Sequence, residues 1–240
     1  MRPVVQCFGD SITQRGFEVA ANGWLAQLAD YFSRRAHVVN QGYSGYNTRW
    51  GCTMLDGLFK QERNPVGTGE TILVTIFFGA NDAQLAPGRQ HVPVEEYGKN
   101  LECMVRHIQA CYPKAAVVLM SPPPLHDGMW KHGAQPGKAP DREGKVTATY
   151  AERCRKVADA CKVHFLDVFT VLGGMDQDSI RPHVSDGLHL SAKGNALLFT
   201  CLVAFLELQI PEITPERLKP EAPLHGDVDP ECYHHIANQL

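Results

Sequence analysis

The sequence lacks the features that would place a protein across a membrane or on nucleic acid. Its longest apolar runs, TILVTIFFGA and LLFTCLVAFL, are far shorter than the roughly 18 residues that a membrane span needs. A formal net charge of -3 over 240 residues leaves no basic surplus to attract nucleic acid or an anionic membrane. We therefore expect no nucleic-acid partner and no membrane span, and a small molecule fits better as the partner.

The eight cysteines are not spaced as in a zinc site, because the sequence contains no C-x-x-C pair. The opening segment, MRPVVQCF, has one charge and a very short apolar stretch, so we expect no secretory signal. Without export, a disulfide framework would be unusual in a chain of this length. We therefore predict reduced thiols, no metal site and a cytoplasmic location.

Short β-rich apolar segments alternate with amphipathic segments along the chain, a pattern typical of a parallel sheet covered by helices. It predicts an α/β protein with a flavodoxin-like, three-layer α/β/α fold and a five-stranded parallel sheet. We expect strands near residues 3–8, 37–40, 71–78, 115–121 and 163–167. We expect helices near residues 24–34, 48–59, 94–111, 146–161 and 192–208.

The chain divides by composition into a domain and a tail. We assign residues 1–210 to one domain and residues 211–240, which are Pro-rich and acidic, to a tail. The tail either lies on the surface or contacts a partner subunit in a homodimer. The Pro- and Gly-rich loop at residues 122–144 either walls a site or is a mobile surface loop.

Three predicted strands end in small or polar residues. These strand ends are Gly9-Asp10-Ser11, Asn40-Gln41-Gly42 and Gly79-Ala80-Asn81-Asp82. In a doubly wound sheet, ligands bind at the carboxyl ends of the strands. We therefore expect the three ends to gather along one edge and to form a site there.

A serine at a strand-to-helix turn is placed as a nucleophile would be, at the positive end of a helix. Ser11 needs a base, and the segment HVSDGLHLSAKGN offers His189 with Asp186 three residues before it. Asp186 would fix the imidazole tautomer while His189 moves the proton of Ser11. Taken singly, Ser11 and Asp186 could equally be helix caps.

An oxyanion that develops during acyl transfer needs preorganised hydrogen-bond donors. Gly42 would bring its backbone N–H close to a substrate oxygen because it has no side chain. Asn81 would supply a side-chain amide, and the N–H of Ser11 a third donor. Taken singly, Gly42 and Asn81 are also ordinary turn residues.

Ser11, Gly42, Asn81 and His189 match, in order, the four marker blocks of the SGNH (GDSL-type) esterase superfamily, which this sequence resembles. Within that superfamily the isoamyl-acetate-hydrolysing esterases are the most similar, on the strings FGDSITQ, GYSGYNTRW, TIFFGANDA, QHVPVEEY, SPPPL and SDGLHLSAKGN. The resemblance extends from about residue 4 to about residue 208.

The resemblance implies a flavodoxin-like fold and serine-dependent ester hydrolysis without a cofactor. It assigns Ser11, Asp186 and His189 as the catalytic triad. It assigns Ser11, Gly42 and Asn81 as the oxyanion hole. The match fades in the loop at residues 122–144 and in the tail.

We therefore predict a serine carboxylic ester hydrolase that acts on small, short-acyl esters of the acetate type. The alternatives on the same machinery are a deacetylase of sugars or other acetylated metabolites, a thioesterase and a lysophospholipase. A non-catalytic binding protein with the same fold is a further alternative. We expect five residues around the site either to support the catalytic groups or to contact substrate: Asp10, Asn47, Arg49, Trp50 and His91.

Overall fold

Five β-rich segments of the chain pair into one parallel sheet in a computed structural model, which describes residues 2–59, 69–131, 139–223 and 225–228. The strands are β1 Val4–Gly9, β2 His37–Gly42, β3 Thr71–Phe77, β4 Ala116–Met120 and β5 His164–Leu166. They lie in the order β2-β1-β3-β4-β5, and each neighbouring pair is parallel. This order is that of a flavodoxin-like sheet and confirms the predicted fold class.

The helices connect and cover these strands. They are α1 Ser11–Gln14, α2 Trp24–Tyr31, α3 Thr48–Leu58, α4 Val94–Cys111, α5 Gly144–Cys161, α6 Val168–Val171, α7 Gln177–Ile180 and α8 Ala192–Gln209. Short 3-10 turns lie at Arg15–Phe17, Val19–Ala21, Arg181–His183, Pro211–Ile213 and His225–Asp227.

Helices cover both faces of the sheet. Successive side chains of each strand point to opposite faces, so both sets of side chains are buried. Val5 and Cys7 of β1 pack with apolar residues of α2 and α8, whereas Phe8 packs with those of α3, α4 and α5. Such two-sided burial requires apolar residues at nearly every strand position. It explains the run TILVTIF in β3, where six of seven residues are buried.

The predicted element boundaries differ from the structure mainly at the ends of helices. Helix α2 ends at Tyr31 and not near residue 34, because Arg34 adopts a left-handed backbone conformation with φ of 64°. Helix α5 begins at Gly144, two residues before the predicted start. Helix α4 has the predicted limits.

The described part of the C-terminal tail packs against the domain. Ile213 is buried, and Leu218 packs against the same apolar cluster, which lies on the α2 and α8 side of the sheet. Arg34 donates hydrogen bonds to two tail carbonyls at 2.9 Å, and Arg2 forms an ion pair with Glu221. The tail therefore lies on the surface of the domain as far as residue 223, and residues 229–240 lie outside the described part.

Within the described residues, we find no helix with the length and apolar character needed to cross a membrane. Seven cysteines belong to the described residues, and all of them are free thiols. Cys232 lies outside this part of the chain, as do His234 and His235.

Candidate active site

Ser11 stands at a sharp turn between β1 and α1. Asp10 caps the helix, with its carboxylate accepting the N–H of Ile12 at 2.9 Å. At Gly9 a Cβ atom would lie 2.6 Å from the carbonyl oxygen of Phe77, so the turn has no room for a side chain there. Ser11 is the first residue of α1, and its N–H therefore has no acceptor within the helix.

The side chains of Ser11, His189 and Asp186 form a continuous chain of hydrogen bonds. The Ser11 Oγ atom lies 3.0 Å from His189 Nε2, and His189 Nδ1 lies 2.7 Å from Asp186 Oδ2. An ionised carboxylate only accepts hydrogen bonds, so Nδ1 carries the proton and Nε2 is the acceptor for the hydroxyl of Ser11. Thus the three residues that the sequence predicts as a triad lie together.

Asp186 is held in its ionised form by its surroundings. Partial burial raises the pKa of Asp186, but hydrogen bonds from the His189 ring and from the backbone N–H groups of His189 and Leu188 outweigh it. The pKa of Asp186 is therefore well below its usual range. A charged carboxylate at this position orients the imidazole.

The turn that carries Asp186 and His189 is braced by the loop at residues 122–144. Gly187 has φ of 100°, and its carbonyl accepts the N–H of His126 at 2.8 Å. A Cβ atom at Gly187 would lie 2.5 Å from the backbone nitrogen of Trp130. Only a glycine allows this close approach, which fixes the loop against the turn.

Asn81 lies opposite His189 across the same cavity. Its Nδ2 atom donates one hydrogen bond to the carbonyl of Tyr46 at 2.8 Å. Its Oδ1 atom accepts hydrogen bonds from Gln90 at 3.1 Å and from Arg142 at 3.3 Å. Because Nδ2 has two hydrogens, one N–H remains to point at a ligand in the cavity.

The structure corrects the prediction that Gly42 is an oxyanion donor. The N–H of Gly42 already donates to Asn40 Oδ1 at 2.9 Å. A Cβ atom at Gly42 would lie 2.0 Å from the backbone nitrogen of Gln14, so this glycine is required where β2 packs against the residues after Ser11. Gly42 is also absent from the residues that line the cavity.

Gly45, three residues later, lines the cavity beside Ser11 and Asn81. Its φ is 80°, and its carbonyl accepts a hydrogen bond from Gln90 at 2.8 Å. Among the described residues, none accepts a hydrogen bond from the Gly45 N–H. The segment GYSG contains both glycines, and only the backbone geometry identifies the second as the one at the site.

The cavity at this edge has a volume of about 400 Å³ and is lined mostly by residues with polar side chains, although apolar atoms make up about half of its surface. Trp130 and Leu188 are its apolar side chains. The loop at residues 122–144 contributes Trp130, Asp141 and Arg142, so its described part walls the site, which is one of the two predicted alternatives. Residues 132–138 of this loop lie outside the described part. Other polar side chains come from Arg15, Ser44, Gln84 and Gln90.

Four further predicted residues surround the cavity without lining it. Asp10 is buried beneath Ser11, and burial raises the pKa of its carboxyl to about 7. Asn47 caps α3 and donates to the carbonyl of Gln90 at 2.9 Å. His91 Nδ1 lies 2.6 Å from the carbonyl oxygen of Gln84.

The fourth, Arg49, faces away from the catalytic groups. Its guanidinium makes two hydrogen bonds, of 2.6 and 2.7 Å, to Glu96 on α4, in an exposed ion pair. Trp50 packs edge-on against Tyr46 and lines a neighbouring hollow that shares Ser44, Gly45, Gln84 and Gln90 with the main cavity.

Sequence reasoning assigned no role to three residues near the site, the buried Arg142 and Asp82 and the half-buried Gln90. Arg142 and Gln90 both contact Asn81. Asp82 accepts the backbone N–H of Thr48 at 3.0 Å, and burial raises the pKa of its carboxyl to about 7. The composition of the segments around these residues does not distinguish them from ordinary loop residues.

Comparisons with known proteins identify the family of this chain. The GDSL-like lipase/acylhydrolase family model matches residues 7–197. The isoamyl acetate-hydrolyzing esterase 1 homolog of Mus musculus is 40% identical over 239 residues, which cover 95% of this chain and 94% of that protein. A GDSL esterase/lipase of Arabidopsis thaliana is 36% identical over 240 residues, with 95% of each chain covered.

Among solved structures, a lipase/acylhydrolase from Enterococcus faecalis has the same fold, with a TM-score of 0.65 at 24% identity. The match covers 93% of this chain and all of that one. The chain therefore belongs to the GDSL-like lipase/acylhydrolase family and is a carboxylic ester hydrolase.

Proposed function

We propose that the protein hydrolyses small carboxylic esters with Ser11 as the nucleophile, His189 as the general acid and base, and Asp186 as the residue that orients His189. The observation that carries this proposal is the chain of hydrogen bonds from Ser11 through His189 to Asp186, at 3.0 and 2.7 Å, beside a cavity open to a ligand. A serine hydroxyl is a weak nucleophile until a base takes its proton, and His189 Nε2 is placed to do so.

In the first half of the reaction, Ser11 Oγ attacks the ester carbonyl carbon while His189 Nε2 takes the hydroxyl proton. The tetrahedral intermediate then collapses. The bond to the alcohol oxygen breaks, and His189 returns the proton to that oxygen, so a neutral alcohol leaves and an acyl group stays on Ser11. Asp186 stabilises the imidazolium that forms between these two proton transfers.

In the second half, a water molecule takes the place of the alcohol. His189 accepts a proton from this water, which attacks the acyl carbon. The bond to Ser11 Oγ breaks as His189 returns the proton to the serine oxygen, and a carboxylic acid is released. The same three side chains therefore serve both halves of the cycle.

We further propose that the oxyanion of each intermediate is held by the N–H groups of Ser11 and Gly45 and by the free N–H of Asn81. Two observations support this assignment. All three residues line the cavity, and the second amide hydrogen of Asn81 is left over after its bond to Tyr46. One preorganised donor of this kind contributes about a hundred- to a thousand-fold in rate.

Short acyl chains, as in acetate esters, suit the size of the cavity. A volume of about 400 Å³ is at the small end for ligand pockets. The name of the Mus musculus relative, an isoamyl acetate-hydrolyzing esterase 1 homolog, supports the same choice.

The polar lining favours a second candidate, the deacetylation of sugars or other polyhydroxy compounds. Gln84, Gln90 and Asp141 all face the cavity, and such groups recognise hydroxyl-rich alcohols better than a branched alkyl chain. Parallel assays of isoamyl acetate and an acetylated sugar separate the two. A kcat/KM at least tenfold higher on the sugar acetate would favour this second candidate.

The decisive experiment replaces Ser11 by Ala and measures hydrolysis of p-nitrophenyl acetate. We expect turnover to fall to background while the thermal melting temperature is retained. The matched control is Ser179→Ala, since Ser179 is an exposed serine of α7 whose hydroxyl donates to Asp176 and which does not line the cavity. Full activity in Ser11→Ala would refute the proposal.

A fluorophosphonate probe distinguishes an enzyme from a non-catalytic binding protein. An activated serine reacts with this probe, whereas an ordinary serine does not. We expect labelling of Ser11 in the wild type and in Ser179→Ala, and none in Ser11→Ala. A folded wild-type protein that resists labelling would favour the binding protein.

A further inference from the structure

Arg142 is a buried cation at the edge of the cavity, just before α5. Only 5% of its surface is exposed, although an arginine is rarely buried without partners. Its guanidinium lies over the ring of Trp130, 5.3 Å from the ring centre. A charge kept in such a place requires several acceptors, and their identity indicates what the residue does.

The guanidinium contacts three acceptors, all of them next to the proposed oxyanion hole. Its Nη1 atom donates to the carbonyl of Ala80. Its Nη2 atom donates to Gln90 Oε1 at 2.7 Å and to Asn81 Oδ1 at 3.3 Å. The planar guanidinium has fixed donor directions, so these contacts hold Ala80, Asn81 and Gln90 in one arrangement.

Gln90 extends this arrangement to the second donor of the oxyanion hole. Its Nε2 atom donates to Asn81 Oδ1 at 3.1 Å and to the carbonyl of Gly45 at 2.8 Å. Arg142 fixes the other end of the same amide by donating to its oxygen. The carbonyl of Gly45, in the peptide after the one that carries its N–H, and the amide of Asn81 are therefore both anchored to one cation.

These contacts decide which end of the Asn81 amide faces the substrate. Arginine has no acceptor, so the group facing Arg142 must be an oxygen, and the Nδ2 hydrogens then point the other way. A cation at the amide oxygen also polarises the amide, which strengthens the N–H as a donor to an oxyanion. A flipped amide would present an oxygen to the developing negative charge.

We propose that Arg142 is a positioning residue for the oxyanion hole, acting through the side chain of Asn81, whose oxygen also accepts from Gln90. This inference rests on the proposed function of Asn81. It goes beyond that function by giving the loop at residues 122–144 a part in catalysis through a residue that does not touch the reacting atoms.

The competing role for Arg142 is to balance the charge of buried acids. Burial lowers the pKa of Arg142, and the nearby carboxyls of Asp141, Asp10 and Asp82 oppose this effect. Lysine would keep the positive charge but would lose the planar fork. If Arg142 acts only through its charge, lysine can replace it. If Arg142 acts through its planar arrangement of donors, lysine cannot replace it.

The test is a double-mutant cycle on the full-length protein, with kcat and KM for p-nitrophenyl acetate as the measurements. We expect Arg142→Met and Arg142→Lys each to lower kcat by roughly 10- to 100-fold, with much less change in KM. In the Asn81→Ala background, where there is no amide to position, we expect either change to lower kcat by less than about a further threefold. Melting temperatures verify that each variant is folded.

Val157→Ala is the matched control, because Val157 is a buried residue of α5 without contact to the cavity. Its effect on kcat should be the same factor in both backgrounds. An equal loss from the Arg142 variants in both backgrounds, or wild-type kcat in Arg142→Lys, would overturn the positioning role. If Arg142→Met does not fold, the Arg142→Lys cycle decides. Wild-type kcat in Asn81→Ala alone would instead refute the proposed oxyanion hole.

Discussion

Ser11 and His189 are 178 positions apart in the sequence, yet Ser11 Oγ lies 3.0 Å from His189 Nε2. The sheet topology explains this contact. Strand β1 lies between β2 and β3 in the sheet. Ser11 follows the carboxyl end of β1, next to the switch point between β1 and β3, where ligands bind in sheets of this kind. The turn before α8 then brings His189 to the same edge from the far end of the domain.

Asp186→Asn should lower kcat by about a thousand- to ten-thousand-fold. The amide oxygen can still accept the N–H of Leu188, so the turn should survive. The amide N–H₂, however, faces His189 Nδ1 and needs an acceptor there, which moves the ring proton to Nε2. In that tautomer His189 cannot take the proton of Ser11. Steady-state hydrolysis of p-nitrophenyl acetate measures the loss.

Asp176→Asn is the control for this change, because Asp176, like Asp186, accepts the backbone N–H two positions later but does not line the cavity. It should retain wild-type kcat. A loss of less than about tenfold in Asp186→Asn, in a protein with an unchanged melting temperature, would contradict the proposed role of Asp186.

Substitutions at the two glycines of the segment GYSG should separate stability from activity. Gly42→Ala places a Cβ atom 2.0 Å from the backbone of Gln14, so it should lower the melting temperature or prevent folding. At Gly45 the new Cβ would meet only Gln90, at 3.5 Å, but φ of 80° is strained for alanine. Gly45→Ala should therefore cost about 1 kcal/mol of stability and reduce kcat by at least about tenfold.

Thermal unfolding and ester hydrolysis of both variants provide the readouts. The expected pattern is a folded but slow Gly45→Ala and an unstable Gly42→Ala. The reverse pattern, with a stable but inactive Gly42→Ala and a fully active Gly45→Ala, would restore Gly42 as the oxyanion donor.

Most of the fold could be predicted from the sequence because the signals are local. Buried parallel strands such as β3 need apolar residues on both faces, and the amphipathic helices repeat every three to four residues. The end of α2 was missed since it depends on the left-handed conformation of Arg34, which no residue pattern required. The division into a catalytic domain and a tail, the homodimer and the cytoplasmic location stay predictions.

The serine, histidine and aspartate that we propose as the triad were also predictable, because their residue types indicate the chemistry of their side chains. The glycine that we propose as an oxyanion donor was not. Both Gly42 and Gly45 lack a side chain, and the choice depends on whether a backbone N–H is already bonded, as it is at Gly42. Arg142 was missed for a related reason, since its role comes from contacts with residues about 50 to 60 positions away.

The buried carboxyls should make stability fall as the pH rises. Burial raises the pKa of Asp82 to about 7, whereas an aspartate in the unfolded chain titrates near about 3.9. Between these values the folded state holds a proton that the unfolded state has lost. Unfolding therefore becomes more favourable as the pH rises through this range, by up to about 1.4 kcal/mol per pH unit for each such group.

Melting temperatures at pH 5 and pH 8 measure this effect. The amide of Asp82→Asn can still accept from Thr48 but does not ionise, so the difference between the two pH values should shrink in this variant. Asp159→Asn, at an exposed aspartate of α5, should leave the difference as in the wild type. Equal pH dependence in Asp82→Asn and the wild type would show that Asp82 is ionised in the folded protein throughout this range.

The tail should contribute to stability without contributing to catalysis. Ile213 is 7% exposed and packs into the apolar cluster beside α8, so Ile213→Ala should lower the free energy of unfolding by about 2–5 kcal/mol. Leu208, five positions earlier, is 77% exposed, so Leu208→Ala should change the free energy of unfolding by less than about 0.5 kcal/mol. Urea denaturation measures both values. Because Ile213 does not line the cavity, kcat should stay at the wild-type value in each variant. A stable Ile213→Ala would mean that the tail detaches from the domain in solution.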